Sequence, residues 1–197
     1  VGFGGIFAMY SYIAPTVTEV TGLPASAVPI FLLVYGVSGL IGNIVAGRMG
    51  DWSVIRSIVI GLAGIGVALG VFAAVASYAV AALVVLALIS VPASALVINL
   101  HLRLMQVAGS AQTLAAASNH AALNLANALG AWLGGLVIAA GFGYRAPSVV
   151  GVGLAALGLV ILGISLLIHR RDHPGRVSIR PGGPSGRDAS SSVAQVS

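Results

Sequence analysis

"GLIGNIVAGRMGDWSVIR", residues 39–56, decides how the rest of the chain is read. Small and apolar residues give way to Arg48, Asp51, Trp52 and Arg56, and apolar sequence then resumes at once. Charge is otherwise scarce: 7% of the 197 residues are charged and 58% are apolar, with a mean hydropathy of +1.07. A soluble domain carries about 25% charged residues. A chain with so few has no wettable surface to build, and composition predicts an all-α polytopic membrane protein whose charged cluster marks a turn between two spans.

Working outward from that turn gives the span count. Downstream, Ser57 to Leu100 runs for 44 residues without a charge. At about 1.5 Å per residue that is roughly 66 Å of helix, twice a hydrocarbon core of about 30 Å, so the run holds two spans. The fold-back is expected near Ala76–Tyr78, because a tyrosine suits the membrane interface. Upstream, apolar runs over about 3–20 and 28–47 are separated by the turn-rich "TGLPASAVP" (21–29). Further runs at about 113–140 and 147–168 bring the count to six. Residues 1–169 thus form a six-helix transmembrane domain. Residues 170–197, rich in Gly, Pro, Ser and Arg, form a tail expected to be disordered. Val1 stands inside an apolar run with no basic leader before it, and is read as a truncation point.

The net charge of +5 does not point to nucleic acid. Lysine is absent, and five of the nine arginines lie in the last 28 residues. If the first span runs outward from the cytoplasm, the inner segments hold Arg48, Arg56, Arg103 and the five tail arginines, and the outer segments only Arg145. That bias places both ends in the cytoplasm of a multi-pass protein of the cell membrane. With no cysteine and four histidines, no metal centre or other cofactor is expected.

At about 100° per residue, Gly36, Gly39, Asn43, Gly47 and Gly50 fall on one narrow face of the second span. Such a face lets another helix approach closely. Asp51 at its end has two uses open to it, pairing with Arg48 or capping the next helix. Alternatively, Arg48 and Arg56 only anchor helix ends at lipid headgroups.

"GRMGDWSVIR" (47–56) resembles the loop signature of the major facilitator superfamily, roughly G-x-L-A-D-R-x-G-R-K, in the weaker copy that lies between its helices eight and nine. Gly47, Met49, Gly50, Asp51 and Arg56 match it, while Trp52, Val54 and Ile55 depart from it. "FAMYSYIAPTVTEVTG" (7–22) and "NLANALGAWLGG" (124–135) resemble helices seven and eleven of drug:proton antiporter-type exporters, nearest the arabinose-efflux-like and chloramphenicol-resistance-like groups. The resemblance covers about residues 1–168. It implies the second half of a twelve-helix transporter, built from two inverted three-helix repeats. Setting Gly42 on Gly130 brings Gly47 onto Gly135, as such a repeat would.

Polar side chains inside a bilayer are costly and usually face a bundle interior or a cavity. On the fifth span Thr113, His120, Asn124, Asn127 and Ala131 share one stripe. Asn124 and Asn127 either line a transport pathway or hold neighbouring helices; His120, with no acidic partner, is better suited to packing or hydration than to a proton relay. Tyr12 is either a stacking surface for substrate or a core residue. Pro15 is expected to kink the first span, and Pro92 the fourth. Glu19 reads as a solvated helix end, and Asn99 and His101 as an interfacial one. No carboxylate lies in the middle of any span.

The function expected is secondary active transport: proton-coupled efflux of a small amphipathic or sugar-like compound by alternating access. The partners would be membrane lipid, the substrate, protons and a missing N-terminal six-helix half. Two rivals are a half-size assembly module and an intramembrane enzyme acting through His101 or His120. The enzyme lacks an HExxH motif, paired intramembrane aspartates and a serine beside a base.

Overall fold

The computed structural model describes residues 2–109 and 111–172, and these are helical almost throughout, with no strand among them. The first span comprises α1 (Gly4–Tyr10), α2 (Ile13–Pro15) and a π-helical turn (Thr16–Val20). After a 3-10 turn (Ala25–Ala27) come α3 (Val28–Trp52), α4 (Val54–Val75), α5 (Ala79–Val107), α6 (Gln112–Val137) with a second π-helical turn (Ile138–Phe142), and α7 (Ala146–Asp172). The tail expected to be disordered lies, from residue 173 onward, outside the described residues.

Five of these stretches are long and apolar enough to cross a membrane. The first span is instead broken. Proline at position 15 has no N–H for the carbonyl one turn back, and the backbone departs from helix at Tyr12 (φ −114°, ψ 19°). Past the break, the Tyr12 carbonyl accepts both the Thr16 N–H at 3.0 Å and the Thr16 hydroxyl at 2.7 Å. The fold-back between the third and fourth spans falls where expected, with α4 ending at Val75 and Tyr78, 70% exposed, standing before α5.

Three boundaries differ from the sequence reading, one of them because α7 runs on to Asp172, past the expected start of the tail at residue 170. The charged cluster is not a loop: α3 continues through Gly47, Arg48, Gly50 and Asp51 to Trp52, and the chain turns only at Ser53 (φ −171°, ψ 113°). Nothing between Gly47 and Trp52 forbids helix, because a single glycine costs only about 1 kcal/mol and charged side chains reach water from a helix end. Likewise α5 runs past Leu100 to Val107, carrying His101 and Arg103 on its last turns.

The packing exposes the internal symmetry. Let the first span, α3 and α4 be one unit, and α5, α6 and α7 the other. The first helix of each unit packs on the second and third helices of the other: α5 on α3 and α4, and α1 on α6 and α7. The third helices, α4 and α7, meet each other. Three crossings per unit leave the second unit starting from the opposite side, so equivalent helices run in opposite directions. The pairing of Gly42 with Gly130 follows the same rule. A Cβ on Gly42 would lie 2.9 Å from the Ser90 carbonyl oxygen of α5, and one on Gly130 would collide with the Gly4 carbonyl oxygen of α1. Gly47 and Gly135 do not match in this way, since Gly47 faces open space and Gly135 faces Tyr12.

The core is apolar: Ile6, Met9 and Val17 of the first span meet Ile65, Leu69 and Phe72 of α4 and Leu86 and Ile89 of α5. Lipid is as apolar as these side chains, so the bundle holds through close packing and hydrogen bonds rather than through escape from water. Besides a mid-span bond from the Tyr12 hydroxyl to the Ala131 carbonyl, several bonds sit toward the ends. Away from Arg48, Arg56 and Arg103, the Thr21 hydroxyl donates to the Ala76 carbonyl at 2.7 Å, and the Thr16 hydroxyl also donates to Tyr144 at 3.2 Å. Arg145 donates to the Ser77 hydroxyl there. These contacts tie the first span to both loops at that end.

Candidate functional site: a mid-depth groove

A groove of about 330 Å³ opens between the first span, α3 and α5. Phe3 closes one end; Tyr35, Gly36, Gly39, Leu40 and Asn43 of α3 face Ser90, Ala93, Ser94, Val97 and Ile98 of α5. These residues lie near the middle of both long helices, and they come from both three-helix units. The groove is therefore at mid-depth and at the junction of the units.

Its α3 wall contains part of the small-residue face read from the sequence. Gly36 and Gly39 meet no atom within 4 Å where a Cβ would stand, and Asn43 is exposed. The close approach of α3 to α5 is made by Gly42, on another side of the helix. Of the face read from the sequence, Gly36, Gly39, Asn43 and Gly47 are thus uncovered among the described residues, whereas Gly50 is packed against Asn99 of α5.

An aromatic row that the sequence reading missed runs into the groove. Ring centroids are 5.4 Å apart for Phe3 and Phe7, 6.3 Å for Phe7 and Tyr10, and 5.2 Å for Tyr10 and Tyr35. The spacing of positions 3, 7 and 10 on one helix face was the available signal. The last step, to Tyr35 on another helix, left none.

The other candidates are not in the groove. Tyr12 is half-buried against α6, its ring fitted over Gly134 and Gly135 and its hydroxyl donating to the Ala131 carbonyl at 2.8 Å. Tyr12→Phe is expected to cost about 1 kcal/mol, seen as a melting temperature about 2–4 °C lower in detergent; an unchanged value would mean the bond does no holding. His120 and Asn124 are exposed on α6. Asn127 is half-buried, and its amide oxygen is enclosed without a hydrogen-bond partner.

At the end bearing Arg48, Arg56 and Arg103, the motif residues divide between two helices. Gly47, Arg48, Gly50 and Asp51 end α3, and Arg56 opens α4 with its guanidinium 5.2 Å from the Trp52 ring centre. Of the two uses left open for Asp51, capping is taken instead by Ser53, whose hydroxyl accepts from the Arg56 N–H at 3.4 Å. Ser57 is buried and donates to the carbonyls of Met49 and Ser53 at 2.6 and 2.8 Å, closing the turn. Asn99, read as interfacial, is fully buried; its amide N–H₂ donates to Ala46 at 3.1 Å and Ala95 at 2.9 Å. Its oxygen has no partner and faces Gly50. Asn119 and His101 join α6 to α5 at 3.3 Å.

Comparison with known proteins agrees with this architecture. The family model described as Major Facilitator Superfamily matches residues 1–194. "Inner membrane transport protein YdhP" of Escherichia coli (strain K12) is 35% identical over 167 residues, 83% of this chain and 42% of that protein. "Uncharacterized MFS-type transporter YtbD" of Bacillus subtilis (strain 168) is 34% identical over 176 residues, 87% of this chain and 44% of that protein. "Putative transporter AraJ" of Escherichia coli (strain K12) is 28% identical over 145 residues, 73% of this chain and 37% of that protein. The chain thus spans less than half the length of these relatives. No solved structure matches it.

Proposed function

Because the chain belongs to the major facilitator superfamily, we propose that it is the C-terminal half of a secondary active transporter. That transporter exports a small amphipathic compound by alternating access, driven by the proton gradient. The observation that carries this reading is the mid-depth groove where the two three-helix units meet, which is where inverted-repeat transporters hold their substrates. The uncovered face of Gly36, Gly39 and Gly47 supports a second six-helix body packing across α3 and moving against it. The end bearing Arg48, Arg56 and Arg103 is then cytoplasmic, with the residues after the last span forming a tail on that side. Asn124, exposed on α6 outside the groove, offers a polar contact along the pathway, while the Asn127 amide oxygen is enclosed. Glu19 and Asp51 are exposed near span ends and Asp172 stands at the last position of α7, so the proton-binding carboxylate belongs to the other half.

Reconstituted proteoliposomes test this. Substrate export should follow an imposed pH gradient and stop when a protonophore dissipates it. Export that persists without the gradient would sink the coupling; no movement of any compound beside a stable co-purifying partner would favour an assembly module.

A further inference from the structure

We propose that the groove selects one chemical class, an uncharged flat aromatic compound with a polar edge; this deepens the transport reading and rests on it. The aromatic row supplies the surface. Phe3 and Tyr35 stand at its two ends and both line the groove. The Tyr10 and Tyr35 rings are tilted by 39°, neither stacked flat nor fully edge-on. A flat ligand ring entering beside Tyr35 extends the row by one member, in the offset or edge-to-face arrangements that aromatic rings favour.

Charge narrows the class. Among the described residues, no acidic, basic or histidine side chain lines the groove. Glu19 and Asp51 are exposed near span ends, and Asp172 ends α7, so no described carboxylate stands at mid-span. An ion at mid-depth would find no counter-charge on the walls this chain supplies, and an unpaired charge in a low-dielectric site is strongly disfavoured. Hydrogen-bonding capacity narrows it again. Asn43 and Ser94 offer polar groups, while the Ser90 hydroxyl gives its proton to the Ala87 carbonyl at 2.6 Å and can only accept from a ligand. Two or three contacts suit a lactone, ether or amide edge and leave most hydroxyls of a sugar unpaired. The volume is that of a small-molecule site.

The test is equilibrium dialysis of the protein in lipid nanodiscs, with empty nanodiscs correcting for partition, against three probes. These are 7-methoxycoumarin (neutral, aromatic), N-methylquinolinium (cationic, aromatic) and glucose (neutral, not aromatic). The coumarin should bind tightest of the three. Tyr35→Leu should weaken it about tenfold, while Tyr35→Phe should hold it within about twofold. Gly39→Leu is a second plug of the groove, its side chain entering space that is open within this chain; folded yield and melting temperature are read beside binding, since the second six-helix body packs across the same face. Tighter binding of quinolinium or glucose, or coumarin binding unchanged in both Leu variants, would overturn the assignment. Counterflow of the coumarin in proteoliposomes separates the two readings: a compound bound at the groove but never moved supports the site and counts against the transporter.

Discussion

Gly130→Val is expected to prevent accumulation of folded protein, with a cost of about 3 kcal/mol or more. The reason is that the nearest atoms to a new Cβ are main-chain atoms, the carbonyl of Gly4 and then the Ala8 nitrogen, not the far end of a flexible side chain. Overpacking a core commonly costs about 1–3 kcal/mol. Here neither helix can yield without shifting the whole crossing of α1 on α6, and with it the Tyr12 bond to Ala131. Gly42→Val should behave alike, because Gly42 occupies the equivalent crossing of α3 on α5. Gly39→Ala is the control. No atom lies within 4 Å of the added Cβ, so its stability should stay level or rise by up to about 1 kcal/mol from helix propensity. Folded yield and thermal unfolding in detergent measure all three. If Gly39→Ala proves as damaging as Gly130→Val, the face taken as open is packed, and the reading of α3 as uncovered is wrong.

That contrast also shows what the sequence made legible. Spans follow from additive quantities: an uncharged run of 44 residues has only one solution in a bilayer, and Tyr78 marks its bend. The glycine period of α3 was also visible, yet it named a face without saying which part is occupied. Gly42, packed against Ser90, stands outside the stripe of Gly36, Gly39 and Gly47. Which stripe meets a neighbour depends on the partner helix, and that information lies about fifty residues away. The same limit hid Asn99. Its position near His101 and Arg103 suggested an interface, because composition cannot tell an amide facing headgroups from one turned inward onto Ala46. The groove was legible on one wall only, as Gly36, Gly39 and Asn43 of α3; its α5 wall and the aromatic row beside it were not. Only the tertiary approach of Tyr10 to Tyr35 joined that row to α3.

Asn99→Asp should be the most damaging change at the other end of α5, costing several kcal/mol, whereas Asn99→Leu should cost only about 1 kcal/mol. The asymmetry follows from the bonds present. The Ala46 and Ala95 carbonyls lie within helices, so the Asn99 N–H₂ is an additional donor to them rather than a necessary one. Replacing it with leucine forfeits those two bonds, which in a bilayer are worth about 0.6 kcal/mol each on average. It also removes an enclosed amide oxygen that has no partner. Aspartate keeps the shape and reverses the physics. Its oxygens would face the two carbonyl oxygens without a donor, in a site where Asn99 is fully buried, and an unpaired buried charge costs several kcal/mol even after relaxation. The carboxylate would therefore take up a proton or the contact between α3 and α5 would open. Thermal unfolding of the two variants at neutral and acidic pH separates these outcomes. Aspartate should be strongly destabilised at neutral pH and partly recovered in acid, since a group held neutral in the folded state favours folding when protons are plentiful. Equal melting of wild type and Asn99→Asp at neutral pH would mean that water or a donor already reaches this pocket. The junction behind the charged cluster would then be a wet, yielding contact, and the half would not move as one rigid body.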